Sequence, residues 1–312
     1  MKKIVLLFPG QNLQNFKDII YFNQKTKILN KTFEESSEIL NLNLLKILKK
    51  RNFIKKKYIS YLIINISIAL YREWKKNIPI IPNIMIGHSL GQYSALICSK
   101  KISLKNALLS LKKRNRILKN SFKNIPTLMY IIIGIHFSII KKICYIVSRI
   151  FQKVSIACIN LKNQIIISGH KKYVLKVLNF CKKIQKNYII RLPIYFCLHY
   201  SFLKKNSKKF SKYLKKNIFK NSHIKVFCAT QKKFLYSSQK IKNSLCQQLY
   251  KPTLWYDTLK IIKKKNIKNF IEIGAGNTLT KINFHNKIFN TYSTNTLKNF
   301  LKTLKIIKNQ KL

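Results

Sequence analysis

The stretch Asn83-Ile84-Met85-Ile86-Gly87-His88-Ser89-Leu90-Gly91-Gln92-Tyr93-Ser94-Ala95-Leu96-Ile97 decides the fold. Its opening reads as a short apolar strand, its middle as G-x-S-x-G and its end as the start of a helix. Glycine on both sides of Ser89 relieves the crowding of a sharp strand-to-helix turn, so the hydroxyl projects at a helix N-terminus where developing negative charge is favoured. This is the context a nucleophile elbow requires. The plainer reading is a tight turn that carries a serine.

The chain has only seven glycines, which makes each one a probe of where the backbone needs positive φ or close approach. Five fall in three runs, each after an apolar segment: Phe8-Pro9-Gly10-Gln11, Gly87-His88-Ser89-Leu90-Gly91 and Gly274-Ala275-Gly276. These read as the junctions at which an α/β sheet presents its chemistry. From about residue 126 to 193 the pattern changes to a strand (Leu128–Ile135), a helix (Ser138–Arg149), two strands (Val154–Asn160, Gln164–Ser168), a helix (Lys171–Lys183) and a strand (Tyr188–Pro193). That β-α-β-β-α-β order is the ferredoxin-like split βαβ unit. The expected fold is α/β, with an α/β-hydrolase-like large subdomain formed by residues 1–125 and 194–312 and an inserted ferredoxin-like small subdomain at 126–193. Helices are expected over Ser60–Lys75 and Ser103–Lys119, and the Lys-rich end, Leu301–Leu312, reads as a solvated helix.

With 312 residues, 47% of them hydrophobic, the chain can bury a substantial core. It carries 63 Lys+Arg against 7 Asp+Glu, a net charge of +56, and such an excess points to nucleic acid or an anionic membrane. Yet all but six of the basic residues are lysine, dispersed along the chain, whereas base readout and phosphate clamping draw on arginine. Abundant Lys, Asn and Ile with scarce Gly and Pro matches A/T-rich codon usage, so the charge reads as base-composition drift and no specific nucleic acid is expected as partner. The seven cysteines are odd in number and none is spaced as CxxC, which argues against a disulfide framework and a zinc site and fits a reducing cytoplasm. An apolar strand follows Met1-Lys2-Lys3 directly, without a leader, and the longest apolar stretches, Tyr61 to Tyr71 and Leu128 to Ile140, are too short to span a bilayer. A soluble cytoplasmic protein without membrane insertion is expected.

A nucleophilic serine needs a base, and the candidates are His88, His136, His170, His199, His223 and His285. The hydrolase order Ser, Asp/Glu, His would need Asp257 or Glu272 with His285, because no acid lies between Glu73 and Asp257. That is the serine thioesterase or esterase alternative. The other choice is His199, with no carboxylate near it in sequence and a neutral carbonyl to orient it, giving a Ser-His dyad. His88, His136, His170 and His223 read as core or surface residues.

Over nearly its whole length the chain resembles the malonyl-CoA:acyl-carrier-protein transacylase family. Phe8-Pro9-Gly10-Gln11 is similar to FPGQGSQ, with Asn12-Leu13 in place of Gly-Ser, and residues 87–96 are similar to GHSLGEYSAL, with Gln92 in place of Glu. Leu198-His199 falls at the family's PSH, Cys197-Leu198 replacing Pro-Ser, while Gln248-Leu249-Tyr250-Lys251-Pro252 resembles QLYNP and Ile273-Gly274-Ala275-Gly276 resembles EIGPG. The resemblance implies Ser89 as nucleophile and His199 as general base, with an oxyanion hole from the backbone amides of Gln11 and Leu90. Arg114 would hold the substrate carboxylate, Asn160 would line the substrate site, and the Gln248 backbone carbonyl would orient His199. Cys158 and Lys162 stand beside Asn160 where the family has Asn and Pro, and Ser60 where it has a glutamine. The implied substrate is malonyl-CoA and the implied partner acyl carrier protein, whose phosphopantetheine accepts the malonyl group for fatty-acid synthesis. No cofactor or metal is implied, and the enzyme is expected to be a monomer.

Overall fold

The computed structural model describes residues 3–11, 16–50, 55–148, 153–184, 187–194, 196–288 and 290–309. Asn12, Leu13, Arg51, Arg149 and the last three residues lie outside these. Eleven strands are present among the described residues: β1 (Ile4–Phe8), β2 (Ile84–Gly87), β3 (Thr127–Ile133), β4 (Val154–Leu161), β5 (Gln164–His170), β6 (Tyr188–Arg191), β7 (Lys225–Cys228), β8 (Lys233–Phe234), β9 (Thr253–Leu254), β10 (Asn269–Glu272) and β11 (Thr291–Ser293).

The first sheet has the order β11-β10-β1-β2-β7-β8, parallel except for the edge pair β7–β8. β1 is a run of five buried apolar residues, as expected of a parallel strand covered on both faces. Alternation divides it: Ile4, Leu6 and Phe8 enter the large core with the helix Ile59–Asn77, while Val5 and Leu7 pack with Ile84, Ile86, Trp255 and Leu279 on the opposite face. The helix Leu104–Ser121 starts where Ser103 accepts a hydrogen bond from Asn106 N at 3.2 Å, a side-chain N-cap.

The second sheet has the order β6-β3-β5-β4-β9. Its first four strands are antiparallel and, with the helices Phe137–Ser148 and Lys171–Lys182, form the ferredoxin-like subdomain. Ile132, Val154, Ile165 and Ile167 face those helices, while Met129, Cys158 and Ile166 line the face turned toward the large subdomain. β9 was not foreseen from the sequence: it comes from the large subdomain and pairs in parallel with Cys158 and Ile159, so the two subdomains share one sheet. The chain end also differs from expectation. The helix Leu297–Asn309 is docked, burying Phe300, Thr303, Leu304 and Ile307, with Phe300 edge-on to Phe22 at 5.4 Å and Trp74 at 6.4 Å. Its lysines occupy the solvent side of an amphipathic helix.

Two glycines make the β2 turn possible. A Cβ on Gly87 would lie 2.1 Å from Gln92 N, and one on Gly91 would lie 2.0 Å from the Phe8 carbonyl oxygen, in both cases against backbone that has nowhere to go. Gly91→Ala is therefore expected to cost about 3 kcal/mol or more, read as the shift in urea-unfolding free energy; a change below about 1 kcal/mol would show that the turn can open.

Candidate active site

Ser89 sits between β2 and the helix Gly91–Cys98 with φ of 50°, a left-handed conformation costly for a residue with a side chain. The strain aims Oγ out of the turn, and Oγ lies 2.6 Å from His199 Nε2. His199, in the segment leaving the small subdomain, is also left-handed, with φ of 55°, and is buried. Its Nδ1 lies 2.8 Å from the Lys251 carbonyl oxygen. That carbonyl can only accept, so Nδ1 carries the proton and Nε2 is free to accept from Ser89. Thr253 Oγ1, on β9, lies 3.4 Å from the same Nε2. Burial pushes His199 down to about 4, with the nearby charges of His88 and Arg114 adding to the effect and the Lys251 carbonyl opposing it. The imidazole is therefore neutral and competent as a base at any pH near 7.

The orienting carbonyl belongs to Lys251, three residues beyond Gln248, where the sequence reading had put it. The Lys251 amide folds back onto the Gln247 carbonyl at 2.7 Å, and this turn carries its own carbonyl to His199. Gln248 contributes its side chain instead. Arg114 Nη1 donates to Gln248 Oε1 at 3.2 Å, and Gln248 Nε2 donates to the Ser89 carbonyl at 2.6 Å and to Gln92 Oε1 at 3.2 Å. Gln92 Nε2 in turn donates to Ser244 Oγ at 2.6 Å. The amides thus form a neutral relay that ties Arg114 to the backbone of Ser89. Gln92, which stands where the resemblance has Glu, is a working member of it, and neither the relay nor Thr253 was foreseen. The Q-L-Y-K-P motif marked the segment but not which atoms it presents.

Arg114 is 1% exposed, stacks over the Tyr93 ring at 5.4 Å and leaves Nε without a hydrogen-bond partner. A buried guanidinium lacking a carboxylate is costly, and desolvation lowers its pKa. The three ion pairs among the described residues, Arg72–Glu35, Lys76–Glu73 and Lys232–Asp257, lie elsewhere. Arg114 opens into a small chamber with Ser60, Asn115, Gln11 and Leu198, and Ser60 accepts from Asn115 Nδ2 at 3.1 Å. Gln11 and Leu198 also wall the chamber holding Ser89 and His199, so the two spaces adjoin. The turn bearing Gln11 presses on the elbow, since a Cβ on Gly10 would stand 3.3 Å from Ser89 Cβ. The Leu90 amide belongs to the N-cap residue of the following helix, and the amides after it are taken up within the turn, Gly91 N by the His88 carbonyl at 2.9 Å and Gln92 N by the Ser89 carbonyl at 3.0 Å.

Asn160 reaches the site through His88: its Oδ1 lies 2.9 Å from His88 Nε2, and the His88 ring packs 5.1 Å from Trp255. Cys158 lines the Ser89 chamber, whereas Lys162 lines a separate cleft shared with His285. The triad alternative does not assemble. Asp257 is half-exposed and paired with Lys232, Glu272 accepts from Leu279 N, Thr280 N and Thr280 Oγ1, and His285 is in that other cleft. Of the remaining histidines, His170 pairs with Tyr200 and His136 with Ser138.

No family profile matches the chain. It is 37% identical over 313 residues to the malonyl CoA-acyl carrier protein transacylase of Buchnera aphidicola subsp. Schizaphis graminum, covering 98% of this chain and all of that one. The corresponding protein of Buchnera aphidicola subsp. Baizongia pistaciae is 38% identical over 314 residues, with the same coverage. Among solved structures, a malonyl-transacylase in complex with its type II PKS acyl-carrier protein matches at 25% identity and a TM-score of 0.90, over 98% of this chain and 100% of that one. With this identity over essentially its full length, the chain belongs to the malonyl CoA-acyl carrier protein transacylase family.

Proposed function

We propose that the protein moves the malonyl group from malonyl-CoA to the phosphopantetheine thiol of acyl carrier protein by way of a malonyl ester on Ser89, supplying fatty-acid synthesis. The observation that carries this is the buried, acid-free Arg114 in a chamber adjoining the Ser89–His199 dyad. A carboxylate at one end of a short acyl chain fits the guanidinium while the thioester carbonyl at the other end meets Oγ.

In the first half-reaction Ser89 Oγ attacks the thioester carbon and passes its proton to His199 Nε2. The backbone amides of Leu90 and Gln11 stabilise the tetrahedral oxyanion. Collapse breaks the C–S bond, and the departing CoA sulfur takes the proton from His199. In the second half the carrier thiol gives its proton to His199 and attacks the serine ester; Ser89 leaves and recovers the proton. The imidazolium forms only transiently, so one neutral carbonyl acceptor, that of Lys251, suffices to orient the ring. Every electron pair and proton is supplied by substrate, Ser89 or His199, and the cycle needs no metal or cofactor. In this reading the enzyme works as a monomer in the cytoplasm; no helix among the described residues is long and apolar enough to cross a membrane.

The first test is intact-mass analysis after brief incubation with malonyl-CoA. The parent should carry one malonyl group and Ser89→Ala none, and Arg114→Ala should lose about hundredfold in kcat/KM for malonyl-CoA, the cost of a charged hydrogen-bonded pair of about 3 kcal/mol, while gaining relative preference for acetyl-CoA. CoA release without any adduct on the folded parent would point to hydrolysis instead. The pH profile is a second test. Because His199 is held near 4, acylation should stay level from about pH 8 to about pH 5 and fall with single-proton slope below that; a limb near 6.5 would place the base in water. With an acidic carrier protein as acceptor, kcat/KM should fall as ionic strength rises, and a flat response would remove electrostatic steering from the account.

A further inference from the structure

His199 keeps a left-handed backbone that neither Leu198 nor Tyr200 imposes by its own stereochemistry, so the constraint must come from outside the segment. From the large subdomain, Tyr200 N donates to the Leu249 carbonyl at 3.0 Å, beside the Lys251 contact. The rest comes from one face of the inserted sheet. Ser168 Oγ donates to the Leu198 carbonyl at 2.9 Å, and the Tyr200 hydroxyl pairs with His170 Nδ1, the two rings lying edge to face at 5.7 Å. One residue further on, Ser201 N donates to Ser155 Oγ at 3.3 Å, and the two hydroxyls lie 2.9 Å apart.

These contacts follow from strand geometry. Ser168 and His170 are two apart on β5 and so share a face, and Ser155 is the residue opposite Ser168 on β4. Ile165 and Ile167, of opposite parity, pack beneath the helices. The polar trio therefore sits on the face that otherwise shows Met129, Cys158 and Ile166 to the active site. A fully buried serine in such surroundings is unfavourable unless its hydrogen bond is made, and the partner it finds is the carbonyl immediately before the catalytic histidine. The chemistry of acyl transfer uses neither Ser168 nor His170.

We propose that Ser168 and the His170–Tyr200 pair are positioning residues for the general base: the face of the inserted sheet clamps the residues on either side of His199 and so holds Nε2 against Ser89 Oγ. The inference deepens the acyl-transfer reading and rests on its Ser89–His199 dyad. It also gives the inserted subdomain a part in catalysis beyond walling the acyl chamber.

The test is the double variant Ser168→Ala/Tyr200→Phe, with Tyr200→Phe alone as the milder change that removes a single oxygen. Two rates are read: acylation of Ser89 by malonyl-CoA in quenched-flow mass analysis, and release of p-nitrophenolate from p-nitrophenyl acetate, which reports the dyad whatever its natural substrate. Loss of positioning should lower both rates about hundredfold in the double variant and about tenfold in Tyr200→Phe. KM for malonyl-CoA should stay within about threefold, since Arg114 stands on another element. The acid limb should move up from about 4 toward the ordinary imidazole value as a loosened ring gains water, a change a purely structural role would not produce. Rates within about threefold of the parent, or a loss confined to KM, would overturn the proposal. If the parent fails with malonyl-CoA but the ester cleavage follows this pattern, the substrate reading falls and the clamp stands. If malonyl transfer works and ester cleavage ignores both substitutions, the clamp falls alone.

Discussion

The helix that follows Ser89 lies against β1 with no side chain between them, the Gly91 backbone facing the Phe8 carbonyl. That approach fixes how tightly the chain reverses after β2, and with it the left-handed conformation of Ser89. Because β1 also leads into the Pro9-Gly10-Gln11 turn, the same contact sets how near that turn stands to Ser89, and in the proposed mechanism Gln11 is one of the two oxyanion donors. The parallel pairing of β1 with β2, in register from Val5–Ile84 to Phe8–Gly87, thus fixes the spacing on which the proposed mechanism depends.

Desolvation governs the electrostatics around that turn. It keeps His199 unprotonated without a carboxylate partner, and it leaves Arg114 charged but uncompensated in a neutral setting of amides and a tyrosine ring. In a chain with +56 net charge, the cation proposed to hold substrate is set apart by being a buried arginine, while the described lysines, apart from the buried Lys101, reach solvent. The amide relay from Arg114 through Gln248 and Gln92 to Ser244 fixes each amide's orientation, because the arginine can only donate and the Ser89 carbonyl can only accept.

Much of this was legible in the residues. Scarcity of glycine made the elbow and the Gly10 turn stand out, and the succession of strand-like and helical stretches from about 126 to 193 disclosed the order of the small subdomain. What escaped has a physical reason in each case. β9 is two residues long, too short to leave a periodic trace, and exists only because β4 offers an edge. The terminal helix hides its apolar stripe of Phe300, Leu304 and Ile307 among lysines, so composition read it as solvated. The assignment of the orienting carbonyl to Gln248 missed by three residues because a turn, not a motif, decides which carbonyl points inward. The polar trio Ser155, Ser168 and His170 looked unremarkable along the chain, since its meaning depends on two strands lying side by side.

The cysteines bear on a hazard peculiar to enzymes that handle thioesters. An acyl group activated for transfer to a thiol can be captured by any thiolate of the protein itself, and such a misplaced thioester would be a dead end. All seven cysteines are buried. Cys158 shares the chamber of Ser89, yet burial pushes its thiol up to about 12, and Cys197, two residues before His199, up to about 11. Both remain protonated and poorly nucleophilic in neutral solution. The apolar packing around the chamber thereby acts as a kinetic insulator, leaving the acyl group one oxygen on which to rest and one incoming sulfur by which to depart.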